Sequence, residues 1–302
     1  MKKEKMTNPI IVGSLAIVCC LLWGSAFPCI KIGYEWFQIK DTGSQILFAG
    51  YRFFLAGSLT FLLGGVLERR VLILKRSSIP AVLGQGVLQT TLQYFCFYIG
   101  MSNVTGAKGA IINASSAFIS ILAAQVVFKN EKMTGKKWLG CLLGILGVVL
   151  INLASGTWGE GFLLQGEGMM IVCTVAYGIS SVTLKLLSKK ESAFTITAYQ
   201  LLFGGALLLL IGKLLGGHVE GFTLGSTLLL VYMAFISTVA FSLWATLLKY
   251  NPVSKIAVYT FSIPIFGVIL SGIFLGESVL SLRNFIALLL VSGGIILINK
   301  SK

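Results

Sequence analysis

The amino-acid sequence predicts an all-α integral membrane protein with ten transmembrane helices, arranged as two inverted five-helix repeats. Three observations predict this fold. Of the 302 residues 56% are hydrophobic and only 11% are charged, apolar runs fill almost the whole chain, and patterns of the first half recur in the second. A soluble domain carries about a quarter charged residues. The net charge of +14 does not indicate nucleic acid, because the basic residues stand in short clusters between apolar runs.

The ten spans follow from length, since an apolar run of about 20 residues crosses the hydrocarbon core as a helix. They cover about 11–33, 46–67, 79–100, 105–128, 136–154, 165–187, 194–215, 224–249, 255–275 and 282–299. The first resembles a signal peptide, but it is long, lacks a small-x-small cleavage site and precedes nine more spans, so we expect an uncleaved helix. All six cysteines fall inside spans without metal-ligand spacing, so we expect no disulfide, metal or cofactor.

The distribution of basic residues predicts the orientation. With the N-terminus inside, 18 Lys and Arg residues fall on the inner side and five on the outer side, while Arg52 lies within a span. The positive-inside rule therefore places both termini in the cytoplasm. We expect a multi-pass protein of the plasma (inner) membrane, of prokaryotic origin.

Short patterns repeat between the halves. WGSAFPCIK at 23–31 parallels YGISSVTLK at 177–185, AGYRFFLAGSL at 49–59 parallels TAYQLLFGGAL at 197–207, and VVLIN at 148–152 parallels IILIN at 295–299. The repeats cover 10–154 and 166–299 and form one transport domain. Because five is odd, the second repeat must enter the membrane in the opposite orientation, a construction that many secondary transporters share.

Five motifs carry a resemblance to a known family. They are Trp23-Gly24-Ser25-Ala26-Phe27, Tyr51-Arg52-Phe53, the glycine-rich stretch 140–147, Ser262-Ile263-Pro264, and Glu131 with Glu277 after their paired helices. The chain resembles the EamA-type branch of the drug/metabolite transporter superfamily, although Ala117-Phe118 lacks the proline that would match Pro264. The resemblance implies a ten-helix carrier, in most members an exporter of amino acids and other small metabolites. It also implies that helices one, three, four, six, eight and nine surround a central cavity.

Polar and aromatic residues inside spans are the candidate substrate-binding residues, because polar side chains there usually face protein or a water-filled cavity. Three glutamines at i, i+4 and i+8 form a stripe on the third span. The alternatives are hydrogen bonds between helices for the polar residues and an interfacial belt for the aromatic ones. The candidates are Trp23, Gln85, Gln89, Gln93, Tyr94, Asn113, Ser116, Tyr177, Trp244, Tyr259 and Ser262.

Four further residues have structural or gating roles in this interpretation. Arg52 is a charge inside a span, where insertion is costly; we favour structural anchoring and keep binding of a substrate carboxylate as the alternative. Pro264 frees a backbone carbonyl and predicts a bend. Glu131 and Glu277 precede helix N-termini, where a carboxylate meets the positive end of the dipole.

The predicted function is secondary, non-ATP transport of a small polar or zwitterionic organic metabolite by alternating access. We expect an exporter of amino acids, with aromatic ones the first candidates. No span carries Asp or Glu near its middle and no Walker-A motif occurs. A proton-coupled drug or multidrug efflux carrier is the main alternative, ahead of a membrane-embedded enzyme or a non-transporting scaffold. The expected partners are the solute and the lipid bilayer; we expect a monomer, with a homodimer through glycine faces as the alternative.

Overall fold

The structure is built from helices that follow one another with short connections. The computed structural model describes residues 6–128, 134–153, 163–276 and 282–299, and no β-strand occurs among them. The helices are α1 (Pro9–Trp36), α2 (Thr42–Glu68), α3 (Ile79–Gln85), α4 (Gln93–Asn103), α5 (Gly106–Ala114), α6 (Ser116–Val127), α7 (Gly135–Leu153), α8 (Met169–Leu187), α9 (Ala193–Leu214), α10 (Leu224–Tyr250), α11 (Val253–Ala257), α12 (Ser262–Leu275) and α13 (Leu282–Asn299). The all-α prediction is confirmed.

Seven segments of the described residues are long and apolar enough to cross a membrane. They are Pro9–Trp36, Thr42–Glu68, Lys108–Val127, Leu164–Leu187, Ala193–Leu214, Leu224–Tyr250 and Val253–Leu275. Helices also cover the other three predicted segments, as α3 with α4, as α7 and as α13. Many exposed side chains on these helices are large and apolar, such as Leu62, Val66 and Ile273. A surface of this kind suits contact with lipid, which cannot hydrogen-bond a polar group.

Side-chain caps fix where several helices begin. Asn8 accepts hydrogen bonds from the amides of Ile10 and Ile11, and Pro9 supplies a helical φ at the first position of α1. Asp41 caps α2 by accepting from the Ser44 amide at 2.8 Å. At the start of α10, Thr223 and Ser226 bond each other's backbone amides as a capping box.

Three of the predicted spans are interrupted part-way. A π-helical segment, Gly86–Leu92, joins α3 to α4, α5 and α6 meet at Ser115, and a 3₁₀ segment, Val258–Phe261, separates α11 from α12. Pro264 is the third residue of α12, where its missing N–H would have no intrahelical acceptor anyway. The break in the ninth predicted span therefore precedes Pro264, and the break in the fourth forms without a proline.

The helices α2 and α9 pack closely against each other and run antiparallel. A Cβ added at Gly57 would lie 2.9 Å from Leu202 Cα, and one added at Gly205 would lie 2.9 Å from Phe54 Cα. Ordinary contacts of a Cβ begin at 3.4 Å, so only glycine allows the two backbones to approach this closely. In the sequence repeat, residue 57 aligns with 205 and residue 54 with 202, so the two contacts are the same contact made twice.

Candidate substrate cavity

A small cavity lies inside the bundle, and residues of α1, α2, α4, α5, α6, α8 and α12 form its wall. Its volume is about 40 Å³. It is lined by Trp23, Ala26, Phe27, Arg52, Gln93, Tyr94, Phe97, Asn113, Ser116, Tyr177 and Ile263. We call it the central cavity. Both sequence repeats contribute to it, since Tyr177 and Ile263 belong to the second repeat and the other lining residues to the first.

Six of the eleven residues that the sequence nominates for substrate binding line the central cavity. They are Trp23, Gln93, Tyr94, Asn113, Ser116 and Tyr177. Arg52 lines it too, although the sequence favours a structural role for this residue. Sequence reasoning missed Ala26, Phe27, Phe97 and Ile263. A helical-spacing argument finds three of them, since Ala26 and Phe27 lie one turn after Trp23, and Phe97 one turn after Gln93.

The other nominated residues lie outside the central cavity. Gln85 donates to Gln89 Oε1 at 2.6 Å and to the Ser180 carbonyl at 3.1 Å, and Thr183 donates to Gln85. Gln85 also lines a second cavity, of about 370 Å³, between α3 and α8. The three glutamines therefore do not face one cavity: Gln93 lines the central cavity, Gln85 lines the second cavity, and Gln89 accepts a hydrogen bond from Gln85.

Trp244 and Ser262 lie next to residues of the central cavity, whereas the ring of Tyr259 lies beside Gly13, nearer the start of α1. Trp244 and Ser262 are buried, and Tyr259 is half-buried, with its carbonyl accepting from Cys20 Sγ at 3.1 Å. Glu131 and Glu277 lie outside the described residues, so their predicted roles at helix ends stay predictions.

Aromatic rings hold Trp23 in place. Its ring centroid lies 4.9 Å from that of Trp244, 5.7 Å from Phe241 and 6.1 Å from Tyr177, all in edge-to-face arrangements. Pairs of this geometry stabilise by about 0.5–1.5 kcal/mol beyond the area they bury. Trp23 is thus both a wall of the cavity and a packing centre between α1, α8 and α10.

Three polar atoms of the cavity-lining residues are buried without a hydrogen-bond partner in the part of the chain that the structure describes. They are Nε1 of Trp23, Oε1 of Gln93 and the hydroxyl oxygen of Tyr177. Leaving a buried donor or acceptor unsatisfied costs about 1–3 kcal/mol. Native proteins hold few such groups, and each calls for an explanation. Among the described residues, the lining of this cavity thus keeps both a donor and an acceptor unsatisfied.

Arg52 lies ten residues, about 15 Å, beyond the start of α2 at Thr42, whereas the predicted span that begins at residue 46 places it only six residues in. Its Nε donates to the Met233 carbonyl at 3.2 Å and to Ser237 Oγ at 3.0 Å, and its Nη1 donates to the Tyr98 hydroxyl at 3.2 Å. These contacts connect α2 with α10 and α4, as the anchoring interpretation expects. All three acceptors are neutral.

Comparison with known proteins identifies the family. The profile of the EamA-like transporter family matches residues 11–153 and again 164–300. The chain belongs to the EamA-like transporter family. It is therefore a multi-pass membrane transporter and not an enzyme, as the sequence predicts.

Individual relatives are also named as transporters or efflux pumps. The transporter is 28% identical over 257 residues to the uncharacterized transporter YetK of Bacillus subtilis, covering 80% of this chain and 77% of that one. It is 23% identical over 294 residues to a probable amino-acid metabolite efflux pump of Salmonella typhimurium, covering 93% and 92% of the two chains. A protein of known crystal structure shares the fold with a TM-score of 0.74 at 16% identity, over 95% of each chain.

An ion pair connects the two repeats of this EamA-like transporter at one end of the bundle. Lys108 of α5 donates to Oε1 of Glu167, which lies in the π-helical segment before α8. The other oxygen of Glu167 accepts from the Leu163 amide at 3.0 Å. Glu167 is buried, so this pair is a specific contact rather than a pair of solvated surface charges. It holds α5 against the start of α8.

Proposed function

We propose that this EamA-like transporter is a secondary exporter of small zwitterionic metabolites, foremost amino acids, and works by alternating access. The observation that carries the proposal is a set of three polar atoms that belong to residues lining the central cavity and have no hydrogen-bond partner among the described residues, in a family of transporters. A solute with donors and acceptors would satisfy them, and Tyr94, Phe97 and Trp23 offer flat apolar surfaces to its side chain. The names of two relatives, probable amino-acid metabolite efflux pumps, support both the substrate class and the direction.

We further propose that ten helices cross the membrane as two inverted repeats. The repeated contact between α2 and α9 supports this, because an exchange of residue i with residue j is what a twofold axis produces. A second pair of contacts supports it as well. A Cβ at Gly24 would lie 2.6 Å from Phe266 Cβ, and one at Gly178 would lie 2.5 Å from Ile119 Cβ. Residues 24 and 178 align in the repeat, and the pairing of FKNE at 128–131 with FLGE at 274–277 aligns 119 with 265, next to Phe266.

Alternating access explains the size of the central cavity. Ligand sites usually measure about 300–1,000 Å³, whereas this one holds a few water molecules. The described conformation is therefore closed around its site, and the walls must separate to admit a solute. The broken helices at Ser115 and at Val258–Phe261 flank residues close to the cavity. Discontinuous helices near the middle of the bundle are a recurrent feature of secondary transporters.

The inner side of the proposed membrane arrangement is the end that holds the start of α1 and the loop between α8 and α9. The bias of 18 basic residues to five supports this orientation, with both termini in the cytoplasm. We propose the plasma membrane of a prokaryotic cell as the location; the relatives named above are bacterial.

A proton-coupled drug efflux carrier remains the second candidate, and the central cavity disfavours it. Of the described residues that line the cavity, none is Asp or Glu, whereas Arg52 is one of them. An exchanged proton needs a titrating carrier in the pathway, and a cationic drug would meet a like charge.

Counterflow into proteoliposomes tests the proposed function. Vesicles with the purified transporter are loaded with unlabelled L-phenylalanine, L-leucine or L-glutamine, and entry of the labelled amino acid is followed. We expect trans-stimulated entry of at least one. Gln93→Leu, which removes an unpartnered acceptor of the cavity, should weaken it. The matched control is Gln45→Leu, because Gln45 is also buried with an unpartnered Oε1 but does not line the cavity. Absence of stimulated entry for all three would contradict the proposal.

A further inference from the structure

Arg52 is a buried cation whose charge no acidic residue neutralises among the described residues. Its side chain is 1% exposed, and the ion pairs Arg70–Glu68 and Lys108–Glu167 do not include it. A charge inside a membrane protein is costly and usually marks a functional position. The neutral acceptors around Arg52 satisfy part of its hydrogen-bonding capacity and none of its charge.

The acceptors also leave one edge of the guanidinium open. Nε donates to Met233 and Ser237, and Nη1 donates to Tyr98, while Nη2 has no hydrogen-bond partner among the described residues. A guanidinium presents five N–H donors in a planar fork. The ring of Phe53, 4.9 Å from the Arg52 Cζ, and the ring of Tyr94, 5.9 Å from it, keep the plane oriented. Arg52 is also one of the residues that line the central cavity.

We propose that Arg52 recognises a carboxylate of the transported solute, and that a carboxylate is therefore required for transport. This inference rests on the proposed transport function and narrows its substrate class. Arginine binds carboxylates with two parallel hydrogen bonds, a geometry that lysine lacks. Anchoring by Ser237 and Tyr98 then has a second purpose, since it fixes the guanidinium in the orientation that the solute meets.

The remaining polar atoms of the cavity complete a site for an α-amino acid. Gln93 Oε1 is an unpartnered acceptor and suits an ammonium or amide N–H. The Trp23 Nε1–H and the Tyr177 hydroxyl are donors that suit a second carboxylate oxygen or a carbonyl. No carboxylate is among the described residues that line the cavity, so an amine without an acid group would meet repulsion from Arg52 and no opposite charge from them. Cationic amines are therefore excluded by the same residue that selects acids.

Matched ligand series test this inference. Each of L-phenylalanine, L-leucine and L-glutamine is compared with its α-carboxamide and with the amine that lacks the carboxyl group. Two effects of each compound on the wild-type protein are measured: inhibition of counterflow, and stabilisation of the detergent-solubilised protein against heat. For any transported amino acid, we expect the acid to act at a concentration at least about tenfold lower than the amide or amine, because a hydrogen bond to a charged group is lost.

Two variants separate recognition from anchoring. Arg52→Lys keeps the charge without the fork, and we expect it to lose most of the preference for acid over amide. Ser237→Ala removes one anchoring acceptor and should lower thermal stability while the preference persists. If Arg52→Lys does not fold, the wild-type ligand series alone decides.

The outcomes distinguish this inference from the proposed function. If amides or amines compete as well as the acids while transport is intact, the proposed role of Arg52 is wrong and the proposed transport function stands. An Arg52→Lys protein with undiminished preference for acids also overturns it. A wild-type protein that neither transports nor is stabilised by any compound of the three series overturns both.

Discussion

Replacement of Gly57 by alanine tests the packing between α2 and α9, where the two repeats meet. The added Cβ would lie 2.5 Å from the Leu202 amide nitrogen and 2.9 Å from Leu202 Cα. Contacts of real Cβ atoms become ordinary at 3.4 Å, so the backbones must separate by up to about 0.9 Å. Overpacking of this kind costs about 1–3 kcal/mol. The neighbours are backbone atoms, which cannot turn aside as a flexible side chain can.

The matched control is Gly65→Ala on the same helix. Its Cβ would meet only the Arg70 carbonyl oxygen, at an ordinary 3.4 Å, so we expect unchanged stability or a gain of up to about 1 kcal/mol from the better helix propensity of alanine. The free energy of unfolding can be measured by titrating SDS into dodecyl maltoside micelles and following helical circular dichroism.

A double-mutant cycle extends the test to the repeated contact. Gly205→Ala should cost about as much as Gly57→Ala, since its Cβ would lie 2.8 Å from the Phe53 carbonyl carbon. Once one substitution has separated the helices, the other clashes less, so the double variant should lose less than the sum of the single losses. The reasoning is refuted if Gly57→Ala unfolds no more easily than Gly65→Ala. If the two single losses of unfolding free energy simply add in the double variant, the two glycines do not act on the same contact between α2 and α9.

Further predictions concern orientation, the cavity and protons. A cysteine at Glu220 should react with an impermeant thiol reagent from outside the cell and one at Lys189 only from inside; the reverse pattern contradicts the proposed topology. Trp23→Ala should weaken the apparent substrate affinity about 2- to 13-fold through loss of one stacking contact. It should also lower thermal stability, because three rings pack on Trp23. An unchanged affinity would show that Trp23 only packs and does not contact the substrate. Downhill flux in proteoliposomes should persist without a pH gradient and in Glu167→Gln; strict dependence on the gradient would show a missed proton carrier. Burial raises the pKa of Asp41, but hydrogen bonds from Ser44 outweigh it and lower the pKa overall. The Asp41 cap therefore stabilises the protein at pH values above the unfolded-state pKa, and this stabilisation is lost as the pH falls through the folded-state pKa. Asp41→Asn should remove that acid-induced loss in thermal melts, and a variant with the same pH profile as the wild type would contradict the prediction.

The helical segments could be predicted from the sequence because lipid leaves the backbone few choices. A span must satisfy its own hydrogen bonds, so length and hydropathy are nearly sufficient evidence for a helix. The family could be predicted for a related reason, since motifs such as Trp23-Gly24 are local strings. The π-helical segment Gly86–Leu92 could not be predicted this way. It alters the rotation of α4 relative to α3, so the α-helical spacing of Gln85 and Gln93 does not give the faces on which they lie.

Residue roles inside the bundle were harder to predict, because they depend on partners that are distant in sequence. Trp244 was nominated for the same reason as Trp23, namely an aromatic side chain on a span that the family places around the cavity. In the structure Trp23 reaches the cavity and Trp244 packs behind it, 4.9 Å away between ring centroids. Which of two such rings is the wall depends on rotation of α1 against α10, and hydropathy carries no information about rotation.

Arg52 shows how the anchoring and binding interpretations of one residue can both hold. From the sequence they are alternatives, because a buried arginine that is fully bonded within the protein has nothing left for a solute. In the structure the bonds to Met233, Ser237 and Tyr98 use Nε and Nη1 and leave Nη2 free of hydrogen bonds among the described residues. Anchoring therefore fixes the guanidinium without consuming it. A carrier that must release its solute gains from this division, because neutral acceptors hold the arginine in place when the carboxylate has left, while a permanent acidic partner would compete with every incoming solute.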